Sequence, residues 1–172
     1  LAVLAIILLY SCMPQNSEQV SGNKLFELGA GVKSRSISFE NPTGEPGNGG
    51  KAESNLGVGR KGFPSKGIEA GETVVLCDIK GSGSINHIWM TGGFKDNTEA
   101  LRSMVVRAYW ENQEYPSIEC PLGDFMGAAH AKINSYQSVV HSTGINAALN
   151  IWLPMPFAEH AKITLTNEGE RN

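Results

Sequence analysis

Residues 73–91 read TVVLCDIKGSGSINHIWMT. The β-branched and apolar side chains of 73–79 suit a pleated strand, and KGSGS at 80–84 is a glycine-punctuated turn. This spacing predicts a strand over 73–79 and a return strand over 85–91. Working outward, residues 102–110 alternate cleanly. Met104, Val106, Ala108 and Trp110 fall on one face, and Ser103, Val105, Arg107 and Tyr109 on the other. Further short strands are expected at 117–120, 137–141, 147–153 and 162–167, where Ile163 and Leu165 alternate with Thr164 and Thr166. The chain holds 20 glycines and 8 prolines, and its apolar residues come in short runs without a helical period. Many short strands separated by turn signals predict an all-β fold, a β-sandwich or jelly roll.

A chain of 172 residues is long enough for one domain with a proper core. The net charge of −3 and a pI near 5.8 leave no basic stripe, and no nucleic-acid-reading motif is present, so nucleic acid is not an expected partner. Residues 1–9 form an uninterrupted apolar run, which leads into Leu9-Tyr10-Ser11-Cys12. The run is too short to span a bilayer, which takes about 20 apolar residues. It matches the apolar region of an export signal. The tetrapeptide resembles a bacterial lipobox in which Cys12 is lipidated, although Tyr10 stands where a small residue is usual. An ordinary secretory signal with an incidental cysteine is the other reading. The expected organisation is therefore a truncated lipoprotein signal at 1–12, a polar tether at 13–23 and one domain over 24–172, with both ends of the sequence looking cut. Residues 24–30, KLFELGA, suggest a short helix. Export to the cell envelope or periplasm opens two readings for Cys77 and Cys120, a disulfide or buried free thiols, and their apolar neighbours favour the second. No Cys-x-x-Cys or Cys/His cluster points to a metal, and no cofactor is expected.

Residues 35–52, RSISFENPTGEPGNGGKA, carry the densest functional signal. A loop with two prolines and four glycines is costly to order. It directly follows Arg35, Ser36, Ser38, Glu40 and Asn41, a set of donors and acceptors suited to a hydroxyl-rich ligand. The plainer reading is an ordered surface turn. The glycine-rich stretch continues to residue 71, and ordered loops of that length are usually functional.

The order of four further motifs extends this into a family resemblance: INHIWM at 85–90, YWENQEYPSIECPLGDFMG at 109–127, NIWLPMPF at 150–157 and ITLTNEG at 163–169. From about Leu25 onward the chain resembles the N-terminal half of the family long catalogued as domain of unknown function 2961. These are the glycoside hydrolase family 172-like enzymes of difructose-anhydride and furanosidase type. The resemblance implies two jelly rolls in tandem, of which this chain would be the first. It also implies a trimer-based homo-oligomer, and a substrate oligo- or polysaccharide with fructofuranosyl or arabinofuranosyl linkages. In this resemblance the acid/base and nucleophile lie downstream of residue 172, so the chain alone is expected to be inactive.

Glycoside hydrolysis usually needs two flanking carboxyl groups. Glu40, Glu45, Asp78, Glu119 and Asp124 are the candidates, and no pair among them can be matched from sequence. Asp78 and Glu119 read as structural or solvent-facing. Asp124, in PLGDFMG, fits either a cleft-facing carboxylate or a turn cap. His87 and Trp89 share one strand face, where they either pack in the core or meet a sugar ring. His130 matches a histidine-containing stretch of the resembled family. Trp110 and Trp152 read as core or inter-subunit packing, and His141 and His160 have no partner that the sequence reveals. Two functions remain open at this stage: an exported, lipid-anchored glycoside hydrolase, or a non-catalytic jelly-roll module that binds glycans or serves as scaffold.

Overall fold

The computed structural model describes residues 31–51, 57, 62–95, 97–144 and 146–170. The export-type run, Cys12, the tether, the expected helix at 24–30 and parts of the glycine-rich loop lie outside the described residues. The chain divides into two compact units, Leu1–Ser34 and Arg35–Asn172. Of the first, residues 31–34 are described, and they are exposed.

Over its described residues, the second unit is an all-β sandwich of antiparallel sheets with two single-turn α-helices and short 3₁₀ turns at Gly93–Lys95 and Ala129–Ala131. In chain order the elements are β1 (Thr73–Lys80), β2 (Gly83–Ile85), β3 (Ile88–Met90), α1 (Ala100–Ser103), β4 (Met104–Trp110), β5 (Ile118–Pro121), α2 (Leu122–Phe125), β6 (Tyr136–Gln137), β7 (His141–Thr143), β8 (Leu149–Ile151), β9 (Met155–Phe157) and β10 (His160–Asn167). One sheet runs β1-β10-β4-β5, another β3-β8-β7-β6, and β2 pairs with β9.

The inward face expected in 104–110 is observed, although Val105 of the other face is buried as well. Val106 and Ala108 are fully buried and lie opposite Leu165 and Ile163 of β10. On the other side of β10, Ile163 faces Cys77 and Leu165 faces Val74. A β-bulge between Val75 and Cys77 makes this possible. Strict alternation would place Val74, Leu76 and Asp78 on one face. The extra residue lets Val74 and Cys77 both enter the core and turns Asp78 outward. One apolar cluster joins side chains of both four-stranded sheets, among them Cys77, Val106, Ile163 and Leu165 with Leu149 and Ile151. Each fully buried Leu or Ile contributes about 1.5–3 kcal/mol.

Three expectations about strands need correction. The return strand at 85–91 is two strands in different sheets: β2 pairs with β9 and β3 with β8. Neither pairs with β1, whose partner is β10. The ladder lapses at Asn86 and His87, and Ser84 Oγ donates to Asn86 Oδ1 across the break at 2.7 Å. The strand expected at 137–141 is a hairpin of β6 and β7. Its turn is closed by Ser138, whose N–H donates to His141 O at 2.8 Å and whose Oγ accepts from His141 N at 2.9 Å. Finally, α1 and α2 flank β4 and β5 where strand ends were expected. Burial of Leu101 and Leu122 holds these short turns in place, since helices this short have little stability of their own.

The two helices meet at Gly123, where a Cβ would lie 2.9 Å from the backbone oxygens of both Leu101 and Ala128. Backbone on two sides cannot yield cheaply. Gly123→Ala is therefore expected to lose about 1–3 kcal/mol in chemical denaturation. Gly67→Ala, where nothing lies within 4 Å of the added atom, should stay within about 0.5 kcal/mol of wild type. Equal stability of the Gly123→Ala protein would show that the helices separate without penalty.

Candidate functional site

The segment after residue 34 is pinned by its apolar side chains. Ile37 and Phe39 pack against the core cluster, and the Phe39 ring lies 5.6 Å from that of Phe63. Between them the backbone closes on itself: Ser38 N donates to Asn41 O at 3.2 Å and Asn41 N to Ser38 O at 3.0 Å. Phe39 and Glu40 form the tip of this turn. A second turn follows directly. Gly44 N donates to Asn41 O at 3.2 Å, and Asn41 Nδ2 to Glu45 O at 3.0 Å. Gly44 is buried with φ +66, and a Cβ there would come within 3.0 Å of Ile37 Cγ1. Glycine is required on both counts.

Glu40 is held by one oxygen only. Its Oε1 accepts Phe63 N–H at 2.7 Å, while Oε2 is buried with no hydrogen-bond partner. Asn41 Oδ1, on the next residue, is likewise buried without a partner. Buried acceptors left unpaired cost free energy, a carboxylate oxygen most of all. Glu40 and Asn41 thus each carry one side-chain acceptor without a donor. Arg35, Ser36 and Ser38 are exposed on the same stretch.

The remaining candidates lie elsewhere. Trp89 is 53 % exposed and His87 is exposed, so the pair points away from the core. His87 stacks on Trp152 at 5.0 Å with rings 2° from parallel, and its Nε2 is hydrogen-bonded to Asn150 Oδ1 at 3.0 Å. Trp152 is thus a surface ring, while Trp110 is half-buried and stacks on Phe157. Asp124 sits in α2 and forms an ion pair with Arg102 at 2.5 Å. His130 is exposed, with left-handed backbone (φ +58) in a turn at Ala129–Ala131. Among the described residues, no hydrogen bond, ion pair or ring contact joins Glu40 or Asn41 to these four.

Other carboxylates are committed to structure. Glu119 and Glu168 both hold Arg107, at 2.7 and 2.5 Å. Asp78 lies 2.8 Å from His160 Nε2, and this hydrogen bond holds its carboxyl below the usual range. Glu111 accepts N–H groups of Ala158, Glu159 and His160 at 2.7, 2.7 and 3.2 Å. Those backbone bonds, Ala158 foremost, depress its carboxyl. Glu111 was missed in the sequence. Its signal is weak, an acidic residue beginning a turn whose partners lie 47 to 49 positions away. Phe63, Asn150 and Trp152 were also missed as neighbours of the candidates, for the same reason of distance along the chain. Tyr136 and His141 clamp the GDFMG segment through Gly127 O and Phe125 O, at 2.8 and 3.1 Å. Cys77 and Cys120 are free thiols, both pushed up by burial, and behave as small hydrophobes. Among the described residues, no group of three His, Cys, Asp or Glu side chains could hold a metal ion.

A family model described as GH172 domain-like matches residues 63–172. No curated protein matches the chain.

Because the folded-state carboxyls of Glu111 and Asp78 are depressed, each contributes stability above its unfolded value, about pH 4. That contribution disappears as pH falls through the folded value. Glu111→Ala should lower the melting temperature at neutral pH, and its gap from wild type should close in acid. Asp78→Asn should behave in the same direction. A gap independent of pH would mean that Glu111 acts through packing alone.

Proposed function

The chain belongs to the GH172 domain-like family, and from that premise we propose that it is part of an exported, lipid-anchored glycoside hydrolase acting on fructofuranosyl or arabinofuranosyl linkages. The relation to glycoside hydrolases follows from the domain match. The furanosyl substrate is supported by the family resemblance and by the turn at Ser38–Asn41. The observation that carries the reading is the pair of buried acceptors, Glu40 Oε2 and Asn41 Oδ1. Vicinal hydroxyls of a furanose are donors of the right kind. Arg35, Ser36 and Ser38 extend this site, with His87, Trp89, Asp124 and His130 as outlying candidates.

The catalytic carboxylates are proposed to lie outside these 172 residues. Glu40, Asp78, Glu119 and Asp124 each have a separate partner. The domain's role is then to hold sugar within a larger assembly, a trimer-based homo-oligomer with a tandem second jelly roll.

Glu40→Gln tests the sugar site without removing its anchor. The side-chain carbonyl can still accept from Phe63 N–H, while an amide donor replaces the unpaired acceptor. In the full-length enzyme, kcat/KM on aryl fructofuranoside or arabinofuranoside should fall roughly ten- to hundredfold, the scale of about 1.5–3 kcal/mol for a hydrogen bond to a charged group. The melting temperature should hold. Unchanged kinetics would place the sugar elsewhere, and a lowered melting temperature with kinetics preserved would make the turn structural.

The anchor has its own test. The full-length protein should fractionate with membranes and incorporate labelled fatty acid at Cys12. Equal incorporation by Cys12→Ser would sink the lipid anchor.

A further inference from the structure

We propose that the outer face of the β3-β8-β7-β6 sheet is a second carbohydrate-holding surface, which grips a neutral glycan chain independently of the Glu40–Asn41 turn. The inference rests on the glycoside-hydrolase relation for the kind of ligand, and on the sheet itself for the place.

Register puts one row of side chains across the sheet. Trp89 of β3 lies opposite Asn150 of β8, Asn150 opposite Ser142 of β7, and Ser142 opposite Gln137 of β6. The neighbouring positions point inward: Leu149 and Thr143 are buried. The outer row therefore reads Trp, Asn, Ser, Gln. Beside it stand His87 and Trp152, ring against ring, with Trp152 41 % exposed. His87 Nε2 is hydrogen-bonded to Asn150 Oδ1, and Asn150 Nδ2 has no partner among the described residues. Ser142 Oγ and the Gln137 amide have no partner among the described residues.

The contrast with the other sheet argues for a neutral ligand. The outer face of β1-β10-β4-β5 carries Asp78, Lys162, Arg107 and Glu119, several of them paired in ion pairs. That is a solvated charged surface. The Trp89 row holds no charged side chain, yet it interleaves aromatic rings with amide and hydroxyl groups. Rings offer apolar area to the C–H face of a sugar, and amides and hydroxyls bond its hydroxyl groups. A charged partner would find no ion-pairing group along this row.

Native gels cast with inulin, arabinan or dextran supply the probes. The protein should be retarded by at least one of them. Trp89→Ala should weaken that retardation about tenfold or more, and Trp152→Ala should do so too. Trp89 is more than half exposed, so its removal should leave the fold intact by circular dichroism, and this variant can carry the test alone. Glu40→Gln should keep the part of the retardation that Trp89→Ala removes, even where it lowers turnover, which separates this surface from the catalytic reading. No retardation in any gel would overturn the proposal. So would retardation that survives Trp89→Ala, or a Trp89→Ala protein whose only change is loss of self-association, since the face would then be covered by a second copy.

Discussion

The structure depends on one strand being in the middle. β10 lies between β1 and β4 and bonds both, so the longest ladders of the fold join residues 73–80 to 160–167 and 104–110 to 160–167. Until β10 is in place, β1 and β4 each present an unpaired edge. Its side chains serve both faces: Ala161, Ile163 and Leu165 fill the core, while His160 and Thr166 bond Asp78 and Thr73 outside. Its last residue, Asn167, is buried and hydrogen-bonded through both side chain and backbone. Nδ2 donates to Ile68 O, Oδ1 accepts from Gly169 N, the backbone N–H donates to Glu72 O, and the carbonyl accepts from Gly71. That node ties the entry to β1 to the exit of β10. A buried amide is tolerated there because its groups are satisfied.

Around this centre, polar side chains act as clips across sequence distance. Glu111 closes the turn between β9 and β10 with its carboxylate, and the turn that carries it places Glu111 and Asn112 in left-handed backbone. Arg107 gathers Glu119, Glu168 and Thr166 on the outer face of the same sheet. These clips are exposed or half-exposed, so each ion pair is modest in water. Their shared effect is to spend the acidic side chains of this sheet on structure. The Glu40–Asn41 turn differs. Its apolar residues reach the core, its backbone satisfies itself, and two acceptors remain without donors.

The two outer faces of the sandwich also differ in kind. One is charged and paired. The other joins rings to uncharged hydrogen-bonding groups, with Trp89, His87 and Trp152 held outward by the alternation of β3 and β8. A strand tryptophan more often packs inside, and here the inner positions are taken by Ile88, Met90, Leu149 and Ile151. The aromatic ring is outside because the aliphatic residues on either side of it claim the core.

The sequence by itself determined that the domain is all-β. In 104–110 and 163–166 the alternation of side chains is local, and local period maps directly onto a two-faced strand. It also marked the 35–52 segment, because its prolines, glycines and run of polar side chains act within a few residues. The tertiary structure decided what no local period carries. The bulge at Val75–Cys77 exists because Val74 and Cys77 both face β10, a partner more than 80 residues away. Residues 83–90 split between two sheets because β9 and β8 come to meet them. Glu40 became a half-held carboxylate because Phe63, 23 positions on, takes one oxygen and leaves the other buried. Side-chain period is set by each residue's neighbours in sequence, whereas pairing, burial and unmet hydrogen bonds are set by neighbours in space.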